Sequence, residues 1–377
     1  MRLGDDGPRY GMLEPVRQYA WEKLEESGES EEVRRRHAGH YLALGERAGS
    51  KLKGPEQPTW LGRLETELGN LRAAIRWSIE RGETEALART AWSMWKFCSL
   101  RGHQDEGRRW MEEALARASD PLPASVRARL LYVAATLGQG LRDFESTRPL
   151  AEESLTLFRR LEDKHGMADA LGTAGLIAFG QERYEEGLAY LEESVDVNLE
   201  LGRKRAAGAM LGYAATGPLL QGDLTRARRL AERALSLVRE SQGARDVVYV
   251  ALHPLAAVAR AEGDHEGAAR LLEESLMLSA EIENESNVAY CLEGLATIAA
   301  DEDELERAAR LWGAAETLLE KIEILTYPHA FDRSLHQRQV ADARARLEAE
   351  VWKGAWAQGR AMTLEQAVEY AVEDDEA

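Results

Sequence analysis

Phenylalanine is scarce in this chain, with five in 377 residues, beside ten prolines and two cysteines. So little proline, against abundant Ala, Leu, Glu and Arg, leaves long stretches free to coil and predicts an all-α protein. Cys98 and Cys291 stand 193 positions apart and make neither a disulfide framework nor a metal knuckle. No run approaches 18 apolar residues, so no membrane-spanning helix is expected. The first thirty residues lack the apolar stretch of a signal peptide, which makes the cytoplasm the expected compartment. Positive charge is also in deficit: 48 Lys and Arg face 66 Asp and Glu, for a net charge of −18. Such a surface repels phosphate backbones, so direct nucleic-acid binding is not expected of most of it. Arg34, Arg35 and Arg36 form the one local exception, either a phosphate contact or a solvated face paired with Glu31 and Glu32.

Chemistry-bearing motifs are missing as well. No G-x-S-x-G occurs, and His265-Glu266 opens no H-E-x-x-H because residue 269 is Ala. His37 and His40 lie three apart on one helix face, but no acidic or Cys ligand accompanies them at a recognised spacing. The reading is a non-enzyme with no cofactor and no metal.

What the chain does have is an internal repeat. LRDFESTRPLAEESL, QERYEEGLAYLEESV, QGDLTRARRLAERAL, EGDHEGAARLLEESL and DEDELERAARLWGAA align, with Phe144, Tyr184, Leu224, His265 and Leu305 after the turn, at steps of 40 or 41. Nine residues earlier the position is small: Ala135, Gly175, Ala215, Ala256 and Ala296. Six residues later it is large and apolar: Leu150, Tyr190, Leu230, Leu271 and Leu311. A sixth unit, GHQDEGRRWMEEAL, precedes them with Trp95 at the small position, so its first helix is expected to pack differently. Each unit reads as a helix, a tight turn and a second helix. Neither helix can bury its apolar stripe alone, so the units must stack. The pattern resembles the tetratricopeptide repeat, whose period is about 34. That resemblance implies a right-handed superhelix of stacked antiparallel helix pairs, six of them over 87–322. The extra residues point to a longer second helix or a longer turn between units.

Helical segments flank the repeats. Leu13, Val16, Ala20 and Leu24 mark one face of a helix in RYGMLEPVRQYAWEKL, with Pro15 in its first turn. SEEVRRRHAGHYLALGERA follows, with Ser30 as its expected N-cap, and residues 1–48 are taken as one module. A connecting segment spans 49–86, broken by GPEQP and carrying Leu61, Leu64, Leu68, Leu71 and Ile75 on one helical face. Residues 323–377 form the C-terminal cap: one helix marked by Phe331, Leu335, Ala343, Leu347 and Val351, another begun by a Thr363–Gln366 capping box, and a frayed tail, EDDEA.

Four of these blocks, YGMLEPVRQYAWEKLEESGESEEVRRRHAGHYLAL, LETELGNLRAAIRWSIERGE, AARLWGAAETL and GRAMTLEQAVEYA, carry a second resemblance. They look like the C-terminal half of bacterial signal-transduction ATPases with numerous domains (STAND), of the AfsR/LuxR and maltose-regulator type. In that family an NTPase module is followed by a winged helix and then a helical-repeat sensor arm. The resemblance makes YGMLEPVRQYA the closing strand and helix of the winged-helix module. The phosphate loop G-x-x-x-x-G-K-[S/T] is absent, and GSKLKG at 49–54 does not replace it. The family's ATPase and DNA-binding roles are therefore not carried over, and an NTPase module is expected in trans or lost.

The resemblance to tetratricopeptide stacks also implies a ligand groove lined by the first helices. Repeat phase projects Arg129, Tyr132, Thr136 and Gln139 onto that wall, then Asp169, Leu176 and Phe179, then Thr216 and Leu219. His253 and Arg260 follow, and Tyr290, Glu293 and Thr297 complete it. About half should line the groove while the rest pack between helices. This mixed wall suits a protein or peptide partner, or a small-molecule effector. Pro254, in the middle of one first helix, and Pro218, near the end of another, are expected to kink their helices, widen the groove and leave a free carbonyl facing it. Two readings stay open: a sensor arm with an uncovered apolar face on residues 10–48, or a free-standing peptide-binding adaptor with that face covered.

Overall fold

The computed structural model describes residues 2–4, 7–9, 12–52, 56–117, 122–241, 244–282, 284–320 and 333–373. Two three-residue strands, β1 (Arg2–Gly4) and β2 (Gly7–Arg9), pair antiparallel with Leu3 opposite Pro8. The rest of the described chain is helices and their connections. Helix α1 (Glu14–Glu26) has Pro15 in its first turn, where the missing N–H costs nothing. Helix α2 (Ser30–Lys51) begins at Ser30 rather than being capped by it; Glu29 holds the cap position without a side-chain bond. Helix α3 (Gln57–Arg81) buries Leu64, Leu68, Leu71 and Ile75.

The repeats follow as helix pairs: α4 (Thr84–Leu100) with α5 (Gln104–Arg117), and α6 (Ala124–Gly140) with α7 (Phe144–Arg160). Next come α8 (Lys164–Gly180) with α9 (Tyr184–Glu200), and α10 (Lys204–Leu220) with α11 (Leu224–Arg239). The last pairs are α12 (Tyr249–Ala261) with α13 (His265–Glu281), and α14 (Glu285–Asp301) with α15 (Leu305–Glu320). From α6 to α10 every helix has 17 residues and every turn three. The forty-residue period is therefore shared equally by both helices and is not a lengthened second helix or inter-unit turn.

The turns have a simple construction. A residue with positive φ ends the first helix, Arg142 at 61° or Gly222 at 78°. The following amide closes back on the helix, Asp143 to the Gly138 carbonyl at 3.0 Å and Asp223 to Pro218 at 2.9 Å. That same aspartate then caps the second helix, Asp223 accepting from the Arg226 amide at 2.9 Å. One residue thus stops one helix and starts the next.

Small residues let the paired helices meet. A Cβ on Gly187 would overlap the Phe179 ring and lie 2.8 Å from the Gly175 carbonyl oxygen. Where Trp95 fills the small position, α4 and α5 make little contact, and α4 seats against α2 and α6 instead. Buried hydroxyls recur at the repeat spacing: Ser154 donates to the Ala128 carbonyl at 2.9 Å and Ser194 to Ala168 at 2.8 Å. Ion pairs bridge successive units on the outside, among them Arg159–Glu193 at 2.6 Å and Arg239–Glu274 at 2.7 Å. Being exposed, each contributes at most about 1 kcal/mol.

Beyond α15 the expected single helix is two, α16 (Arg333–Arg346) and α17 (Ala349–Arg360), broken at Glu348, whose ψ of 135° leaves helical geometry. Phe331 lies outside the described residues. Helix α17 docks on α15 through reciprocal glycines. A Cβ on Gly359 would overlap the Arg310 backbone, and one on Gly313 would overlap the Trp356 carbonyl. Helix α18 (Leu364–Val372) carries the complete capping box, with the Gln366 amide 3.2 Å from Thr363 Oγ1 and the Thr363 amide 2.9 Å from Gln366 Oε1. The result is an all-α superhelix of stacked antiparallel pairs, none of whose described helices is long and apolar enough to cross a membrane.

Candidate ligand-binding surface

Successive first helices touch across unit boundaries, α4 with α6, α6 with α8 and α10 with α12, and no pair of second helices makes comparable contact. The stack therefore bends toward its first helices, which form the inner wall. On that wall the Arg129 guanidinium sits 5.9 Å from the centre of the Trp92 ring, itself 4.7 Å from the ring of Tyr132. Thr136 meets Thr173 of the next unit, hydroxyl to hydroxyl, at 3.1 Å. Asp169 accepts from Arg203 at 2.8 Å, and Arg260 donates to Asp301 at 2.7 Å. Glu293 faces His336 of α16 at 3.4 Å.

The fourteen projected residues divide by burial. Arg129, Thr136, Gln139, Asp169, Leu176, Leu219, Arg260 and Glu293 are half-exposed on the wall. Tyr132, Phe179, Thr216, His253, Tyr290 and Thr297 are buried between helices. Phe179 is the wedge of its unit, 1% exposed and seated over Gly187 and Gly217. Burial, with the Asp169 charge second, pushes the Tyr132 hydroxyl well above its ordinary pKa. His253 lies beneath the surface with its Nε2 3.4 Å from Cys291 Sγ, and burial pulls it down to about 4. The Cys291 thiol is pushed up to about 12 by the same burial, which favours the protonated thiol over the reactive thiolate.

One expectation is revised by the geometry. Pro254 does not widen the groove: α10 and α12 meet more extensively than α8 with α10 or α12 with α14. The carbonyl that Pro254 leaves free, that of Val250, points at Gly212 of α10, where a Cβ would overlap it. The proline and the glycine together form a close helix joint. In the arginine run, two of the three side chains make the local contacts that one of the open readings expected. Arg35 pairs with Glu32 at 2.6 Å, and Arg34 lies 4.3 Å from the centre of the Trp21 ring and 3.7 Å from Glu25. His37 contacts Asn70 at 3.3 Å.

The projection passed over an apolar patch on the same wall. Met210 and Tyr213 of α10, Tyr249 of α12 and Leu319 of α15 gather around buried Val250 and Tyr290. Met210, Tyr213 and Tyr249 sit one residue to either side of the projected phase, Leu319 comes from a second helix, and of the cluster only Tyr290 was projected; the signal was the pair of tyrosines on neighbouring first helices. Farther along, α16 crosses α14 and α15 and encloses a cleft of about 810 Å³ that includes Glu293, Trp312 and Trp356. Helix α1 stands apart from all of this. It buries no residue, and Met12, Leu13, Val16 and Tyr19 are 52–78% exposed.

No family model matches the chain. It is 30% identical over 240 residues to HTH-type transcriptional regulators of Mycobacterium bovis and Mycobacterium tuberculosis, a match covering 61% of this chain and 26% of each relative. Among solved structures it resembles a Rap protein complexed with Competence and Sporulation Factor, with a TM-score of 0.51 and 13% identity over 87% of this chain and 99% of that one. That likeness concerns the fold. The chain is homologous to a stretch of bacterial HTH-type transcriptional regulators and spans about a quarter of their length.

Proposed function

We propose that this chain is the non-catalytic sensor arm of a STAND-type signalling ATPase or transcriptional regulator, working in the cytoplasm. It holds a protein or peptide partner, or a small effector, on the inner wall of its first helices. The observation that carries this reading is the bare apolar face of α1. Leu13 at 78% exposure and Val16 at 52% lie on one stripe that the superhelix leaves uncovered. A free-standing adaptor would have that stripe covered. An arm that reports to a second module needs it open, because the arm acts by favouring one state of an assembly. Homology to transcriptional regulators supports a signalling role.

Affinity capture from the native cell tests the reading, with wild-type chain and a Leu13→Glu/Val16→Glu variant side by side. Both positions are exposed, so the variant should keep its helical content and its stability within about 0.5 kcal/mol. Recovery of an ATPase by the wild type and its loss with the variant is the expected result. Equal recovery on both, or recovery only of a protein with an extended tail, favours the adaptor. Turnover of ATP by the purified chain would remove the non-catalytic assignment.

A further inference from the structure

Repeat phase puts Arg89, Arg129, Asp169, Ala209 and Val250 at one position of successive first helices. The charged neighbours of Arg129 in that series already have partners. Arg89 pairs with Glu46 and Glu85, and Asp169 pairs with Arg203 at 2.8 Å. Among the described residues no carboxylate stands within ion-pair distance of Arg129 itself. Half-exposed, its guanidinium lies over the Trp92 ring, 5.9 Å from the centre. Trp92 in turn packs on Tyr132, one turn farther along α6, and the Tyr132 hydroxyl lies beside Thr136 and Thr173. Arg203 is only half used: one nitrogen donates to Asp169, and its buried Nη1 has no acceptor among the described residues. Along α6 the wall thus presents a cation without a counter-charge, an indole face beside it, and then hydroxyls.

We propose that this strip is a carboxylate subsite for a bound peptide. Arg129 pairs with the carboxylate, Trp92 carries the apolar part of the residue that bears it, and Thr136 meets the adjoining backbone. A guanidinium can keep its face on an indole while its N–H fork bonds both oxygens of a carboxylate, so Arg129 need not leave Trp92 to bind. The overall charge of −18 repels an acid at long range. Selectivity therefore comes from contact, and the quantity to read is the difference between an acid and its uncharged isostere. The proposal deepens the groove-binding reading and rests on it.

The test titrates the full chain with fluorescein-labelled Leu-Glu-Leu-amide and its Gln analogue, and with Leu-Leu-Leu ending in a free carboxylate or an amide, read by anisotropy. One of the two acids should bind about fivefold or more tighter than its uncharged partner, which identifies a side chain or a chain end as the source. Arg129→Gln should abolish that preference and leave the uncharged peptides as they were, while Arg129→Lys should keep part of it. Arg229→Gln, at an exposed position of the outer helix α11, should change nothing. Equal binding of each acid and its partner, no binding up to about 1 mM, or a preference that survives Arg129→Gln overturns the proposal. So does an equal loss in Arg229→Gln. If the peptides behave as expected but the Leu13→Glu/Val16→Glu variant captures the same partners as wild type, the arm reading fails and the subsite stands. If the peptides show no preference while that variant loses an ATPase that wild type recovers, the subsite fails and the arm stands.

Discussion

His253 gives a quantitative test of how the last repeat units are held. It is 8% exposed in the middle of α12, beside Cys291 and a hydroxyl–amide cluster in which Asn287 Nδ2 donates to Ser275 at 3.0 Å and Ser279 at 2.6 Å. Burial holds its pKa at about 4, with Asn287 opposing the shift, against about 6.5 in an unfolded chain. Between those values the unfolded chain binds a proton that the folded one refuses. Stability therefore falls as pH falls from about 6.5, at roughly 1.4 kcal/mol per pH unit, and the loss is complete below about 4. At pH 4.5 it amounts to about 2–3 kcal/mol. Carboxylates begin to titrate in the same range, so the quantity to measure is a difference. Urea unfolding followed by circular dichroism at pH 7.5 and 4.5 should show wild type losing about 2–3 kcal/mol more than His253→Gln, which keeps a polar group that does not titrate. Equal losses in the two proteins would refute the buried, neutral imidazole.

Other expectations are more local. Gly359→Ala forces a methyl into the Arg310 backbone, which no side-chain rotation can relieve, and should cost about 1–3 kcal/mol in a thermal melt. Gly69→Ala in α3, where a Cβ meets nothing within 4 Å, should stabilise by up to about 1 kcal/mol in the same assay. Thr363→Ala removes one half of the α18 capping box and should cost about 1 kcal/mol, with faster amide exchange confined to that helix.

The fold was largely legible because the repeat states its own construction. Small residues at Gly175 and Ala215, and large ones at Tyr190 and Leu230, recur at a fixed interval, and only a stack of helix pairs explains both. Trp95 in the small position foretold a first helix that packs differently, and α4 does turn to α2 and α6. The break between α16 and α17 was not legible. Leu347 and Val351 continue the apolar spacing of Ala343 through Glu348, and no glycine or proline marks the interruption. The bond that Gly359 and Gly313 permit between α15 and α17 was hidden for a different reason. Each glycine lies inside a good helical pattern, and only the partner helix reveals why no Cβ is tolerated there.

Periodicity places a side chain on a helix face, but the neighbouring unit decides whether that face is open. Position by position, the same phase gives Tyr132, Gly172, Gly212, His253 and Glu293. Only Glu293 reaches an open cleft. Gly172 and Gly212 instead admit Met210 and the Val250 carbonyl of the following first helix. Pro254 illustrates the same limit. Alone it reads as a kink that opens the wall, yet opposite Gly212 its freed carbonyl fits a glycine and closes the joint between α10 and α12. Uneven joints follow, close at α4–α6 and α10–α12 and looser at α8–α10 and α12–α14. A ligand on the inner wall can bias the arm only through contacts that differ between its states. The looser joints are where such differences can arise, since close-packed ones admit few alternatives.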